Sequence, residues 1–258
     1  MHGNPIKEAV ERGNPQFGTW INMVRNPAIL PLLKGAGLDF ARVDMEHASL
    51  NMESLADMAL ISRAIDFPIF VRPAEANREW ITRLLDAGVW NLHCPQVDTA
   101  SHAAAIVDAA YYAPMGSRGQ AGNGPANDFE TGMSMPDRMA YANSQVFVTV
   151  MFETRGAFDH LEEIAAMPGI DALTLGPSDL AQDLGVYGTP DQESALDERR
   201  QMIIDAAKRH GKTTAMLVNN AEQARKWKDA GVMLLGYSSE VGVLQDAYRR
   251  ALKEIKGG

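Results

Sequence analysis

Residues 39–73 read DFARVDMEHASLNMESLADMALISRAIDFPIFVRP. The stretch opens and closes with short apolar runs that suit strands, 39–47 and 67–73. Between them Leu55, Met58, Ala59 and Ser62 fall on one stripe at helical spacing. Asn51 stands where an N-cap is expected, so the spacing predicts a helix over 52–65. Two strands joined by a helix of this length predict a parallel pair with a crossover.

The same rhythm continues on both sides. A strand is predicted at 18–23 and a helix over 27–34, stopped by Gly35 and Gly37. Asn77 opens another helix, which ends at Ala87-Gly88. Strands follow at 91–97, 146–154, 171–180, 213–219 and 232–239. Helices are predicted from Thr99 to about 111, over 136–143, up to Pro168-Gly169, over 193–210 and 221–230, and from after 239 to about 253. Only 113–135, rich in Gly, Pro, Asn and Ser, breaks the pattern; a long loop there is expected to be functional or mobile. Eight strand–helix units in 258 residues predict one (β/α)₈ barrel domain spanning 1–258. An open doubly wound sheet is the alternative and would need fewer strands or a second domain.

The chain is 46% hydrophobic and 22% charged, with a formal charge of -9. That balance argues against nucleic acid and anionic membrane surfaces as partners. Neither a secretory leader nor a spanning apolar stretch is evident. One cysteine, Cys94, cannot close an intrachain disulfide. A cytoplasmic protein acting on a small molecule is expected.

In a barrel of this class the chemistry sits at the C-terminal ends of the strands. There the sequence places Asp44, Glu46 and His47, then Arg72, then Glu153, then Gly176-Pro177-Ser178-Asp179. The strand interiors read as nearly all apolar, which would confine charge to one rim. Each residue also has a plain structural reading: Arg72 as the partner of Glu46, Glu153 and Asp179 as helix caps, His47 as a half-buried core histidine. Two carboxylates with open positions suit a hard divalent cation. No lysine falls at a strand end, which disfavours imine chemistry. No phosphate-cradling loop is present; the glycines of 119–124 follow no strand.

Together VDMEHASL, the VRP of the third strand, PMGSRG, the ET after the fifth strand and GPSDL closely resemble the HpcH/HpaI aldolase family, from about Gly18 to the final helix. The family comprises class II, metal-dependent pyruvate aldolases of the phosphoenolpyruvate/pyruvate barrel superfamily. The resemblance implies cleavage of a 4-hydroxy-2-oxo acid to pyruvate and an aldehyde by way of an enolate. An oxaloacetate-type decarboxylase, another lyase using that enolate, or a non-catalytic binding barrel are the alternatives. It implies Glu153 and Asp179 as ligands of Mg²⁺, Mn²⁺ or Co²⁺, His47 as general base, Asp86 as the carboxylate behind His47, and Arg72 as the enolate-stabilising cation. Gly176, Ser178, Met151 and Arg72 become substrate-binding positions, with Asp44 and Glu46 anchoring Arg72 and water around the metal. It further implies a homo-oligomer, commonly a hexamer, with exchanged C-terminal helices.

Three features depart from the family pattern. Met151 stands where a glutamine is usual, His93-Cys94-Pro95-Gln96-Val97 replaces a more apolar run, and 119–131 lacks an expected basic residue. These bear on the acceptor aldehyde.

Overall fold

The computed structural model describes residues 3–257. Eight parallel strands close into a barrel in sequence order: β1 (Gln16–Ile21), β2 (Phe40–Asp44), β3 (Ile69–Arg72), β4 (Asn91–Cys94), β5 (Phe147–Phe152), β6 (Ala172–Leu175), β7 (Thr213–Val218) and β8 (Leu234–Ser239). Helix α1 (Pro5–Glu11) precedes the barrel. The crossovers carry α2 (Ile29–Gly35), α3 (Met52–Ala64), α4 (Arg78–Asp86), α5 (Ala100–Ala110) with α6 (Met135–Gln145), α7 (Arg155–Asp159) with α8 (Leu161–Ala166), α9 (Pro177–Asp183) with α10 (Gln192–Arg209), and α11 (Ala221–Asp229). Helix α12 (Glu240–Lys256) ends the described chain.

The predicted barrel is thus the observed one. Asn51 caps α3 as expected, accepting from Ser54 N, and Leu55, Met58, Ala59 and Ser62 are its buried residues. Strand side chains alternate. One set faces the helices in a continuous apolar layer; the other fills the barrel. At the N-terminal end of the barrel Phe40, Phe70, Phe147, Ala172, Ala215 and Leu234 pack together, and Ile6 of α1 seals them. The sequence pattern left α1 unassigned, since seven residues are too few for a periodic stripe.

Several strands stop earlier than expected, each for a local reason. β2 ends at Asp44 because its Oδ1 accepts from Glu46 N and His47 N, at 3.0 and 3.3 Å, and so turns the chain. β6 ends at Leu175, and Ser178 and Asp179 lie in the first turn of α9, where Pro177 suits the helix start.

The expectation of apolar strand interiors fails. Arg42, Asn91, His93, Thr149 and Thr174 are all buried. The 113–134 segment runs along α4, where Arg78 donates to Ser117 Oγ and to Ser117 O, each at 3.0 Å. It folds back over α4 and α5: Ser117 donates to Asp108 at 2.5 Å, Arg63 donates to Asp128 at 2.7 Å, and Arg118 donates to Asp86 at 2.9 Å.

Helix α12 is held mainly at its start. Glu240 is buried and accepts from Asn22 N and Met23 N at 2.8 and 2.7 Å. Beyond that, Val243, Leu244, Tyr248, Leu252 and Ile255 are exposed. No described helix is long and apolar enough to cross a membrane.

Candidate active site

A cavity of about 280 Å³ opens at the C-terminal end of the barrel. Asp44, His47, Arg72, Met151, Glu153, Gly176, Ser178 and Asp179 line it. Eight of the ten residues singled out from the sequence therefore meet in one space. Glu46 stands just behind, and Asp86 is elsewhere.

Arg72 is the most constrained of them. Its Nε and Nη2 donate to the two carboxylate oxygens of Asp44 at 2.9 and 2.7 Å. Its Nη1 lies 3.1 Å from Glu46 Oε2, and its guanidinium sits 4.8 Å from the Trp20 ring centroid. A bidentate pair plus a stacked face fixes both position and plane. Burial pushes the Asp44 carboxyl up, but the Arg72 bond and charge and the two backbone N–H groups outweigh it, and the net shift is downward. Asp44 and Glu46 both contact Arg72, and β2–β3 register sets Asp44 beside it.

Glu153 is 2% exposed. Its Oε1 accepts from Gln96 N, a residue with φ of 54°, at 2.5 Å. Desolvation raises its carboxyl to about 7, against the Gln96 bond and Arg72; Asp179 and Glu46 raise it further. Gly176 is needed beside it: a Cβ there would lie 2.4 Å from Glu153 Oε2 and 2.9 Å from Met151 Sδ. Gln96 also donates from Nε2 to Glu46 Oε1 at 3.0 Å. Burial raises Glu46, partly opposed by Arg72.

His47 stands at the exposed mouth, its Nε2 3.7 Å from Glu46 Oε2. The structure does not bring Asp86 to it. Helix α4 starts at the C-terminal rim after β3 and runs back, so its last residue lies at the opposite end of the barrel, paired with Arg118. Within this chain Glu46 is the carboxylate nearest His47.

The sequence reading missed Trp20, Asn22, Arg42 and Thr174, all of which line the cavity, and gave His93 no site role. For Arg42 a cue existed: it is two residues before Asp44, so strand alternation puts both on the inward face.

Among the described residues no group of three or more His, Cys, Asp or Glu side chains could hold a metal. The candidate set is Glu153 and Asp179, a two-carboxylate site with open positions. Mg²⁺ is commonly bound that way, through one or two carboxylates with water and substrate oxygens completing its shell. The buried, charge-crowded Glu153 carboxylate is a group a cation would stabilise. No lysine lines the cavity.

Residues 16–242 match the family described as HpcH/HpaI aldolase/citrate lyase. A 5-keto-4-deoxy-D-glucarate aldolase of Klebsiella pneumoniae is 31% identical over 98% of this chain and 97% of its own. A 4-hydroxy-2-oxo-heptane-1,7-dioate aldolase of Escherichia coli is 31% identical over 95% of this chain and 92% of its own. The crystal structure of an HpcH/HpaI aldolase from Desulfitobacterium hafniense superposes with a TM-score of 0.91 at 28% identity, covering 97% of this chain and 96% of that one.

Proposed function

We propose a reaction for this protein from one premise: the chain belongs to the HpcH/HpaI aldolase/citrate lyase family. It is an aldolase of the class II kind, a carbon–carbon lyase that cleaves a 4-hydroxy-2-oxo acid to pyruvate and an aldehyde, and its fold is the (β/α)₈ barrel. The observation that supports this reading best is Arg72, pinned by Asp44, Glu46 and Trp20 in the same cavity as Glu153 and Asp179.

Cleavage of the C3–C4 bond leaves an electron pair that delocalises onto the keto oxygen as an enolate. Arg72 presents a fixed positive charge to that oxygen, and preorganised charge acts most strongly where charge develops. Glu153 and Asp179 would hold the divalent cation, which supplies Lewis-acid support for the same oxygen. His47 takes the proton of the C4 hydroxyl as the C3–C4 bond breaks, and the enolate then gains a proton at C3 to become pyruvate; Glu46 stands behind His47. Ser178 N–H, in the first turn of α9 and without a helical acceptor, receives the carboxylate of the oxo acid. Met151 and Gly176 shape the wall beside Glu153.

The exposed apolar stripe of α12 supports a homo-oligomer, with the stripe covered by a second copy of this chain in the manner of exchanged C-terminal helices. We read the protein as a cytoplasmic enzyme, one barrel domain per chain.

Pyruvate methyl-proton exchange in D₂O tests the enolate half directly. Exchange should vanish in excess chelator and return with Mg²⁺, Mn²⁺ or Co²⁺. Full exchange in chelator, or a pyruvate–lysine adduct trapped by borohydride, would overturn the assignment.

A further inference from the structure

We propose that Arg42 and His93 form an anion-binding floor to the cavity, so that the oxo acid it takes is a dicarboxylate whose distal carboxylate is received by the Arg42 guanidinium. The oxo-acid part rests on the lyase reading above; the floor itself does not.

Arg42 lies two residues before Asp44 on the inward face of β2, roughly 6.6 Å deeper along the strand. It is 2% exposed, lines the cavity, and its Nε and Nη2 are buried without a hydrogen-bond partner. Among the described residues no carboxylate lies within ion-pair distance of it. The other buried or nearly buried arginines are all paired: Arg72 with Asp44, Arg118 with Asp86, Arg63 with Asp128, Arg200 with Glu193. A buried guanidinium with no counter-charge is costly and rare in a finished fold. Its neighbours are rings, Phe40 at 4.9 Å, Phe70 at 5.7 Å and Trp20 at 5.8 Å. These cover carbon and leave N–H groups of the fork unspent.

Two further observations point the same way. His93, also on the cavity wall, is buried with Nδ1 unpartnered and packs edge-on to Trp20 at 5.3 Å. Burial and the Arg42 and Arg72 charges hold its proton affinity well below the usual range, so it is a neutral N–H donor or acceptor rather than a second cation. On β8, a Cβ at Gly236 would lie 2.1 Å from Arg42 Nη1, so the barrel keeps a glycine where the guanidinium needs room. Burial lowers Arg42 to about 9, which leaves it charged at neutral pH. A planar fork with free N–H groups matches a carboxylate in two-point contact. Arg42 and His93 line the same cavity as Arg72 and Glu153, so a group on the molecule held by the latter pair shares that space with the guanidinium.

The test compares ligands that differ only in the distal charge. Succinate against butanoate in metal-free protein examines the floor alone; 2-oxoglutarate against 2-oxopentanoate with Mg²⁺ examines floor and oxo-acid site together. Both are read by titration calorimetry on the full-length protein, with inorganic phosphate as a third ligand. The dicarboxylate should bind at least tenfold more tightly in each pair. Arg42→Met should bring both ratios to near one, and Arg42→Lys should keep part of them. Without ligand, Arg42→Met should melt higher than the parent, because it removes an unpaired buried charge. No preference in the parent protein, a preference that survives Arg42→Met, or phosphate binding with no dicarboxylate preference would each overturn the proposal. A lower melting temperature with an unchanged preference would mark Arg42 as a structural stack on Phe40 and Phe70 and would overturn it too. A preference lost in Arg42→Met, in a protein without pyruvate exchange, would leave the floor standing and remove the lyase reading.

Discussion

Asp44 does three jobs with one carboxylate: it ends β2, turns the chain toward His47 and holds Arg72 by two bonds. Asp44→Asn keeps the shape but removes the bidentate carboxylate and leaves the Arg72 guanidinium to Glu46, at a cost of about 1.5–3 kcal/mol in chemical denaturation. Because the folded carboxyl is held below its ordinary value, its contribution is complete above an unfolded pKa of about 3.9 and is lost as pH falls through the lower folded value. Melting curves of Asp44→Asn should therefore be flatter than the parent's below about pH 4. Arg72→Lys keeps the charge without the fork, and proton exchange should fall by roughly 10²-fold. Met151 packs by Gly176 in the cavity wall, 4% exposed, and offers no strong hydrogen bond. Met151→Gln should move the kcat/KM ratio for glycolaldehyde over propanal upward by roughly tenfold; an unchanged ratio would remove Met151 from the acceptor site. The placement of Arg72 and Glu153 was legible in the sequence, and that of Asp86 was not. Arg72 ends a strand and Glu153 follows one directly, and the barrel's direction then puts them on one rim. Asp86 ends a helix, and a helix in a parallel barrel finishes at the other rim. His93 and Arg42 lay inside runs read as apolar, where parity rather than composition carried the information.

At the scale of elements, caps were the clearest text. Asn51, Asn77 and Thr99 each accept from a backbone N–H three residues on. Strand ends were harder, because a side chain such as Asp44 can stop a ladder that an apolar run would continue. The 113–134 loop was read from composition alone, which says nothing of where it docks; Arg118, buried against Asp86 and the Tyr112 ring, fixes it over α4. Helix α12 is the element that composition and structure leave open on the same face. Leu244, Tyr248 and Leu252 recur every four residues on a helix whose only buried residue is Glu240. Paired changes Leu244→Asp and Leu252→Asp should shift the particle toward the single chain in sedimentation, with a lower melting temperature. An unchanged sedimentation coefficient would mean that another surface joins the copies, or none.

For the whole molecule, eight repeats of strand and helix made the barrel readable, since one apolar period of two and another near 3.6 alternate without interruption except at 113–134. What closes its N-terminal end was not readable: Ile6 is one apolar residue in a polar segment, yet it is fully buried against Phe40, Phe70 and Phe147. Ile6→Ala should cost about 2–5 kcal/mol by denaturant titration, more than any exposed apolar change on α12 costs the single chain. The seat of Ile6 also includes Ala215 and Leu234, from the last two strands. Chains are made from the N-terminus at roughly 5–20 residues per second. Ile6 therefore leaves the ribosome long before Ala215 and Leu234 and waits for the part of its seat that they form. Until those strands arrive, the stopper faces a socket with two of its walls missing.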